Sequence, residues 1–174
     1  VRIQRLTKSL LDVNRLESGQ SITNLEAIHP DELVQIAQQA LSTQADAKKQ
    51  QITIDRPANL PQIYADRDMI ERVLINLYQN AVKFTPSKGE IELGVKVDGK
   101  NLRFWVLDSG SGVDPNYIDR IFDKYTRIHP DERIKGLGLG LAFCRLAVEG
   151  HGGRIWVENE PEGGAKFSFT IPTV

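Results

Sequence analysis

Two asparagines and a lysine, Asn76, Asn80 and Lys83, recur at four- and three-residue spacing within VLINLYQNAVKFTP, residues 73–86. At about 100° per residue that spacing sets them on one helical stripe, beside an apolar face of Ile70, Val73, Leu74, Leu77, Ala81 and Phe84. Asparagine is a poor helix former, because its amide competes for nearby backbone groups. Two of them one turn apart cost stability, which a ligand role would explain; an ordinary solvated face with incidental asparagines is the other reading. Amide oxygens suit a hard cation such as Mg²⁺, and the ammonium suits phosphate.

A second constellation is LRFWVLDSGSGV, residues 102–113. Period-two alternation puts Leu102, Phe104, Val106 and Asp108 on one face of a strand, the face toward the helices. A carboxylate there needs a hydrogen-bond donor. Gly110 and Gly112 follow at once and open the backbone to close approach; Asp-x-Gly by itself is also an ordinary turn after a strand. The third constellation is KGLGLGLAFCR, residues 135–145, with Gly136, Gly138 and Gly140 at alternate positions. As a strand the run is weak, and as a membrane dimer motif it lacks the apolar helix. As a phosphate loop it makes sense, since bare backbone N–H groups lead into the dipole of the following helix.

Several elements must position these residues. Ile3, Leu6, Leu10 and Val13 predict an amphipathic helix to about residue 18, which reads as the end of a longer helical stem. A helix capped by Asp31 follows, then a strand at Ile52-Thr53-Ile54, and a long helix from Asp66 to about Phe84, closed by Pro86. Alternation on both sides of Asp98-Gly99 predicts a hairpin. A short helix is expected from Asp114-Pro115, a charged loop over residues 125–135, a helix from Leu139 to Glu149, and a closing hairpin of Arg154–Glu158 with Lys166–Ile171. Interspersed helices and antiparallel hairpins predict an α+β fold, a two-layer sandwich with a mixed sheet.

Composition limits the partners. With 22 Lys+Arg against 23 Asp+Glu in 174 residues, the chain has a net charge of -1 and no overall basic field for nucleic acid or anionic membrane. An anionic ligand must be held locally. The single cysteine, Cys144, excludes an internal disulfide framework, fits a reducing compartment, and reads as a small buried apolar residue. No apolar run approaches the roughly 18 residues of a membrane span.

In order along the chain, Asn76–Pro86, Asp108–Gly112, Ile121–Tyr125 and Gly136–Ala142 resemble the N box, first glycine box, F box and second glycine box of two-component sensor histidine kinases. Gly152–Pro172 resembles that family's closing hairpin, and LLDVNRLESGQ the end of its dimerisation helix. The resemblance implies a Bergerat-type ATP-binding fold over residues 21–174, with residues 1–20 the end of the stem. It implies that Asp108 accepts the adenine amino group, with Gly110 and Gly112 shaping the base pocket and Phe84, where tyrosine is usual, bordering it. Asn80 would hold Mg²⁺, and Asn76 and Lys83 would contact the phosphates of ATP. Gly136, Leu137, Gly138, Leu139 and Gly140 would hinge an ATP lid beginning at Tyr125, in which Arg127, Arg133 and Lys135 could screen phosphate charge or simply be solvated.

The family's acceptor motif, a histidine followed by an acidic residue and Arg-Thr-Pro, is nowhere in the chain; His29, His129 and His151 precede other residues and read as structural or surface groups. The resemblance thus implies a catalytic part that phosphorylates a separate stem domain of its own kinase. A response regulator receiver domain, homodimerisation through the stem and a cytoplasmic location follow from the same family. Related ATPases carry a glutamate at the position of Asn76 to activate water, whereas an imidazole acceptor already offers a lone pair and needs no base. A GHKL-type ATPase and a non-catalytic ATP-binding signalling module are the alternatives.

Overall fold

The computed structural model describes residues 2–127 and 138–174. The elements run α1 (Arg2–Glu17), β1 (Leu25–Ile28), α2 (Pro30–Ala47), β2 (Gln51–Asp55), β3 (Ile63–Asp66), α3 (Arg67–Phe84), β4 (Glu90–Asp98), β5 (Asn101–Asp108), α4 (Gly140–Gly150), β6 (Ile155–Asn159) and β7 (Ala165–Pro172). A five-stranded sheet has the order β2-β4-β5-β7-β6. Its β2 runs parallel to β4 and the other neighbours are antiparallel; β1 and β3 form a separate antiparallel pair. Helices cover one face, giving the two-layer α+β sandwich with a mixed sheet expected from the sequence.

Register follows from the turns and the apolar alternation. β4 and β5 join through the two-residue turn Gly99-Lys100, whose glycine has φ +62°. Ile91, Leu93 and Val95 thereby face Asp108, Val106 and Phe104, while Phe167, Phe169 and Ile171 of β7 face Val106, Phe104 and Leu102. The apolar members of this set are buried, and the Phe104 and Phe169 rings stack with centroids 5.0 Å apart. On the opposite face Trp105 lies flat over Gly94, where a Cβ would come within 2.0 Å of its ring. Its Nε1–H donates to Glu92 at 2.6 Å.

Three expectations change. The cap of α2 is His29, whose Nδ1 accepts from the Asp31 N–H; Asp31 lies inside the first turn, after Pro30, and pairs with Arg56. Residues 115–123 form successive turns rather than a helix, with N–H bonds to the third residue back and the Asp114 side chain taking the Asn116 N–H. Their apolar residues still reach the core, Phe122 meeting Phe167 edge-on at 6.1 Å. Strand β3 was not expected, because a four-residue strand shows too few alternations to be read without its partner β1.

Candidate functional site

The site grows from α3, which is pinned at both ends. Asp66 caps its start, Oδ1 accepting the Met69 N–H at 3.1 Å. At its end, where helix carbonyls are left over, the Lys48 ammonium donates to Val82 O, Lys83 O and Thr85 O at 2.7, 3.2 and 2.7 Å. The Gln50 amide adds bonds to Val82 O and Thr85 O. A cation and an amide thus meet the negative end of the helix dipole. Ile70, Val73, Leu74, Leu77 and Ala81 are buried as expected, joined by Tyr78 and Val82. Phe84 is only half-buried, and the amides of Asn76 and Asn80 lie at the edge of the core, half-buried.

Asn76 faces α4. Its Nδ2 approaches Gly140 O at 3.5 Å, and a Cβ on Gly140 would meet the Asn76 amide at 3.8 Å. The start of α4 is set by the preceding turn, in which Gly138 has φ +67° and its carbonyl accepts the Tyr125 N–H at 3.1 Å. A Cβ on Gly138 would lie 2.7 Å from Thr126 O, so no side chain fits. Leu139 is buried just ahead of the helix, and Tyr125 is exposed with φ +64°. Gly136, Leu137, Arg133 and Lys135, with most of the expected lid, lie outside the described residues.

Behind Asn76, Cys144 is fully buried with Sγ 3.8 Å from Val73 O, and burial pushes its thiol up to about 12. It is a packing residue, as the sequence suggests. His151 is structural too: Nε2 accepts the Asp66 N–H at 3.0 Å, so the proton sits on Nδ1, 2.6 Å from Ala147 O. It ties the end of α4 to the start of α3.

The far end of α3 meets Asp108. Gly110 packs so tightly on it that a Cβ would lie 2.8 Å from Phe84 O. Asp108 is 7% exposed and faces the helices. Both hydrogen bonds it accepts from described residues go to Oδ1, from Gly110 N at 2.8 Å and Ala165 N at 3.4 Å. Burial raises its carboxyl above the ordinary value, opposed by those two N–H groups. Gly112 has φ +76° and is met by Asn159 Oδ1 from the closing hairpin. Lys83 lies with its ammonium 4.7 Å from the centroid of the Phe84 ring, at the Asp108 end of the helix.

The three constellations therefore meet along α3: its Asn76 end lies against the start of α4, and its Phe84 end against the loop after β5. From Asn76 to Phe84, α3 spans about 12 Å at 1.5 Å per residue, a length on the scale of an extended nucleoside triphosphate. Sequence reading missed Lys48, Gln50 and Asn159. Each acts through a backbone group distant in the chain, so no local spacing marks it.

Comparison with known proteins agrees with this fold. Residues 65–174 match the family described as histidine kinase-, DNA gyrase B- and HSP90-like ATPase. The sensor protein KdpD of Escherichia coli is 40% identical over 168 residues, covering 97% of this chain and 18% of that protein. The adaptive-response sensory kinase SasA of Synechococcus elongatus is 34% identical over 172 residues, covering 98% of this chain and 44% of that one. The chain thus spans less than half the length of these relatives. Full-length ShkA, in complex with AMPPNP, superposes with a TM-score of 0.87 at 31% identity, covering 99% of this chain and 36% of its own. The histidine kinase ThkA, in complex with the response regulator protein TrrA, gives 0.79 at 26% identity, covering 99% of this chain and 48% of its own. The fold, the site along α3 and these matches carry one conclusion: the chain belongs to the family of histidine kinase-, DNA gyrase B- and HSP90-like ATPases.

Proposed function

We propose that the chain is the catalytic ATP-binding part of a sensor histidine kinase, transferring the γ-phosphate of ATP to a histidine on a stem domain that this sequence does not contain. The observation that carries the reading is that one helix, α3, presents Asn76 to the start of α4 while its far end packs against the loop after Asp108. Base and phosphate ends of a nucleotide are thereby served by a single rigid element.

In this reading the carboxylate of Asp108 accepts the adenine amino group through Oδ2, Phe84 borders the base, and Gly110 and Gly112 let the backbone approach it. At the other end, N–H groups of Gly138, Leu139 and Gly140 and the α4 dipole receive phosphate, with Gly136 and Leu137 extending the loop. Asn76 contacts the phosphates there, Lys83 reaches toward them from the Asp108 end of the helix by leaving the Phe84 ring, and Tyr125 flanks the loop. The Asn80 amide oxygen suits Mg²⁺, which is ordinarily held by one or two protein oxygens plus substrate phosphates. Among the described residues no trio of His, Cys, Asp or Glu offers a separate metal cage. When bound, Mg²⁺ would supply charge neutralisation for the phosphates. Asn76 cannot take a proton from water, so the site aligns the phosphoryl group for an imidazole and does little for hydrolysis.

The partners are the phosphoacceptor stem of the same kinase and a response regulator receiver domain, with homodimerisation through the stem and a cytoplasmic setting. ThkA in complex with a response regulator protein supports the receiver-domain partner. The chain's charge balance gives no support to a nucleic-acid partner, and no described helix is long and apolar enough to cross a membrane.

The test supplies radiolabelled ATP and a separate stem domain. Acid-labile label is expected on the stem, rising steeply with stem concentration because no tether raises the local concentration. Asn80→Ala should suppress transfer, whereas substitution of His29, His129 or His151 should leave phosphoryl acceptance unchanged. Rapid hydrolysis without any stem would favour an ATPase, and label on one of those three histidines would overturn the reading.

A further inference from the structure

We infer that Asn159, which lies outside all the motifs above, is a positioning residue for the adenine end of the nucleotide site, an inference that rests on the reading of Asp108 just given. Asn159 closes β6 and pairs with Ala165 of β7. Lys166, the next residue, pairs with Leu107 of β5, and the Ala165 N–H reaches Asp108 Oδ1. Asp108, Ala165 and Asn159 therefore stand in a row across three strands at one end of the sheet. The chain leaving β5 crosses this row, and Asn159 holds it there. Its Oδ1 accepts the Val113 N–H at 2.8 Å and its Nδ2 donates to Val113 O at 2.7 Å.

Both bonds run to the backbone of one residue. A primary amide can pair with a peptide in this way because it carries a donor and an acceptor side by side, as a neighbouring strand does. The orientation of the amide is unambiguous, since a flipped group would set donor against donor and acceptor against acceptor. Between the two anchors, Asp108 and Val113, lies the loop that carries Gly110 and Gly112. Gly112 is the contact point: a Cβ there would lie 2.8 Å from Asn159 Oδ1 and 3.3 Å from Gly164 O. Gly164 closes the same corner, its own Cβ position falling 1.9 Å from Asp108 O. The closing hairpin thus fixes the loop against Asp108 before any base arrives, and the ordering is not charged to binding. Among the described residues, the side-chain hydrogen bonds of Asn159 run to Val113, at the base end, and none runs to α3 or α4.

The experiment titrates the 174-residue chain with two probes, Mg²⁺-ADP and Mg²⁺-tripolyphosphate, for wild type, Asp108→Asn, Asn159→Ala and Asn159→Asp. Asn159→Ala should weaken ADP by about tenfold and leave tripolyphosphate within about twofold. Asn159→Asp keeps the acceptor for Val113 N–H but sets a carboxylate against Val113 O. It should weaken ADP selectively in the same way, and it stands in for the alanine variant should that fail to fold. Equal weakening of both probes would make Asn159 a general stability residue and overturn the inference. So would unchanged ADP affinity in a folded Asn159 variant when Asp108→Asn is weakened. If Asp108→Asn itself binds ADP like wild type, the adenine-pocket reading falls, and the inference with it.

Discussion

Asp108 carries a burial cost that the Gly110 and Ala165 N–H groups at Oδ1 offset in part, and a donor at Oδ2 would offset further. Asp108→Asn keeps an oxygen for Gly110 N–H and Ala165 N–H but turns an NH₂ toward the adenine amino group, donor against donor. Nucleotide affinity should fall by about ten- to a hundredfold in a calorimetric titration, the worth of a charge-assisted hydrogen bond, while exposed Asp119→Asn should bind normally. The ligand-free variant should be no less stable than wild type at neutral pH, since a buried charge has been removed. The pH dependence has a definite sign. The Asp108 carboxyl titrates above its ordinary 3.8 in the folded chain, so its contribution to folding is fully present below 3.8 and is lost as pH rises through the raised value. In the proposed reading binding runs the other way, because the adenine amino group would need the ionised carboxylate. As the medium is acidified, affinity should fall at a higher pH than an ordinary carboxylate would impose. The difference between wild type and Asp108→Asn isolates this effect from the nucleotide's own ionisation.

Among the elements, α3 shows how a site-bearing helix is held from outside its own sequence. Lys48→Met removes the ammonium from three terminal carbonyls while keeping the length of the side chain. The loss expected in urea unfolding is about 1 to 2 kcal/mol, the range for a partly buried cation at a helix C-terminus. A change below a few tenths of a kcal/mol would mean that Gln50 alone satisfies the helix end. Gly138 decides where α4 begins. Gly138→Ala must place a Cβ at φ +67° and 2.7 Å from Thr126 O, so the turn has to shift. Phosphate-bearing ligands should bind more weakly, measured with tripolyphosphate, whereas a ligand with no phosphate, adenosine, should be affected less. Equal loss for both would show that the turn supports the whole fold rather than one end of the site.

At the scale of the whole molecule, α1 is packed on the α/β body. Val13 is fully buried, Asp12 pairs with Arg72 at 2.5 Å, and Glu17 pairs with Lys124 at 2.9 Å. Arg72 lies 3.9 Å over the Phe143 ring, so the ion pair rests on an aromatic floor. We propose a boundary near residue 20 between this stem segment and the ATP-binding domain. Residues 21–174 made alone should fold and bind Mg²⁺-ADP within about threefold of the full chain. Their melting temperature should drop by roughly 2–4 °C for each kcal/mol of lost packing. Failure to fold would place α1 inside the domain.

Much of this architecture was legible in the chain itself. Period-two alternation placed Asp108 on the core face, and helical spacing put Asn76, Asn80 and Lys83 on one stripe, because both patterns depend only on the geometry of a single element. The Asp66 cap and the Gly99 turn were readable for the same reason: each is a contact between residues a few positions apart. The tertiary structure alone decided what depends on residues distant in sequence. It made His29 rather than Asp31 the cap of α2, with Asp31 paired to Arg56, and it paired β1, whose extended stretch at Leu25-Glu26-Ala27 the sequence suggests, with β3, which is too short to announce itself. It brought Lys48 and Gln50 to the end of α3, Asn76 to Gly140 and Asn159 to Val113. No spacing rule reaches across such separations, because those contacts exist only once the sheet has set its strand order and the helices have been laid on it.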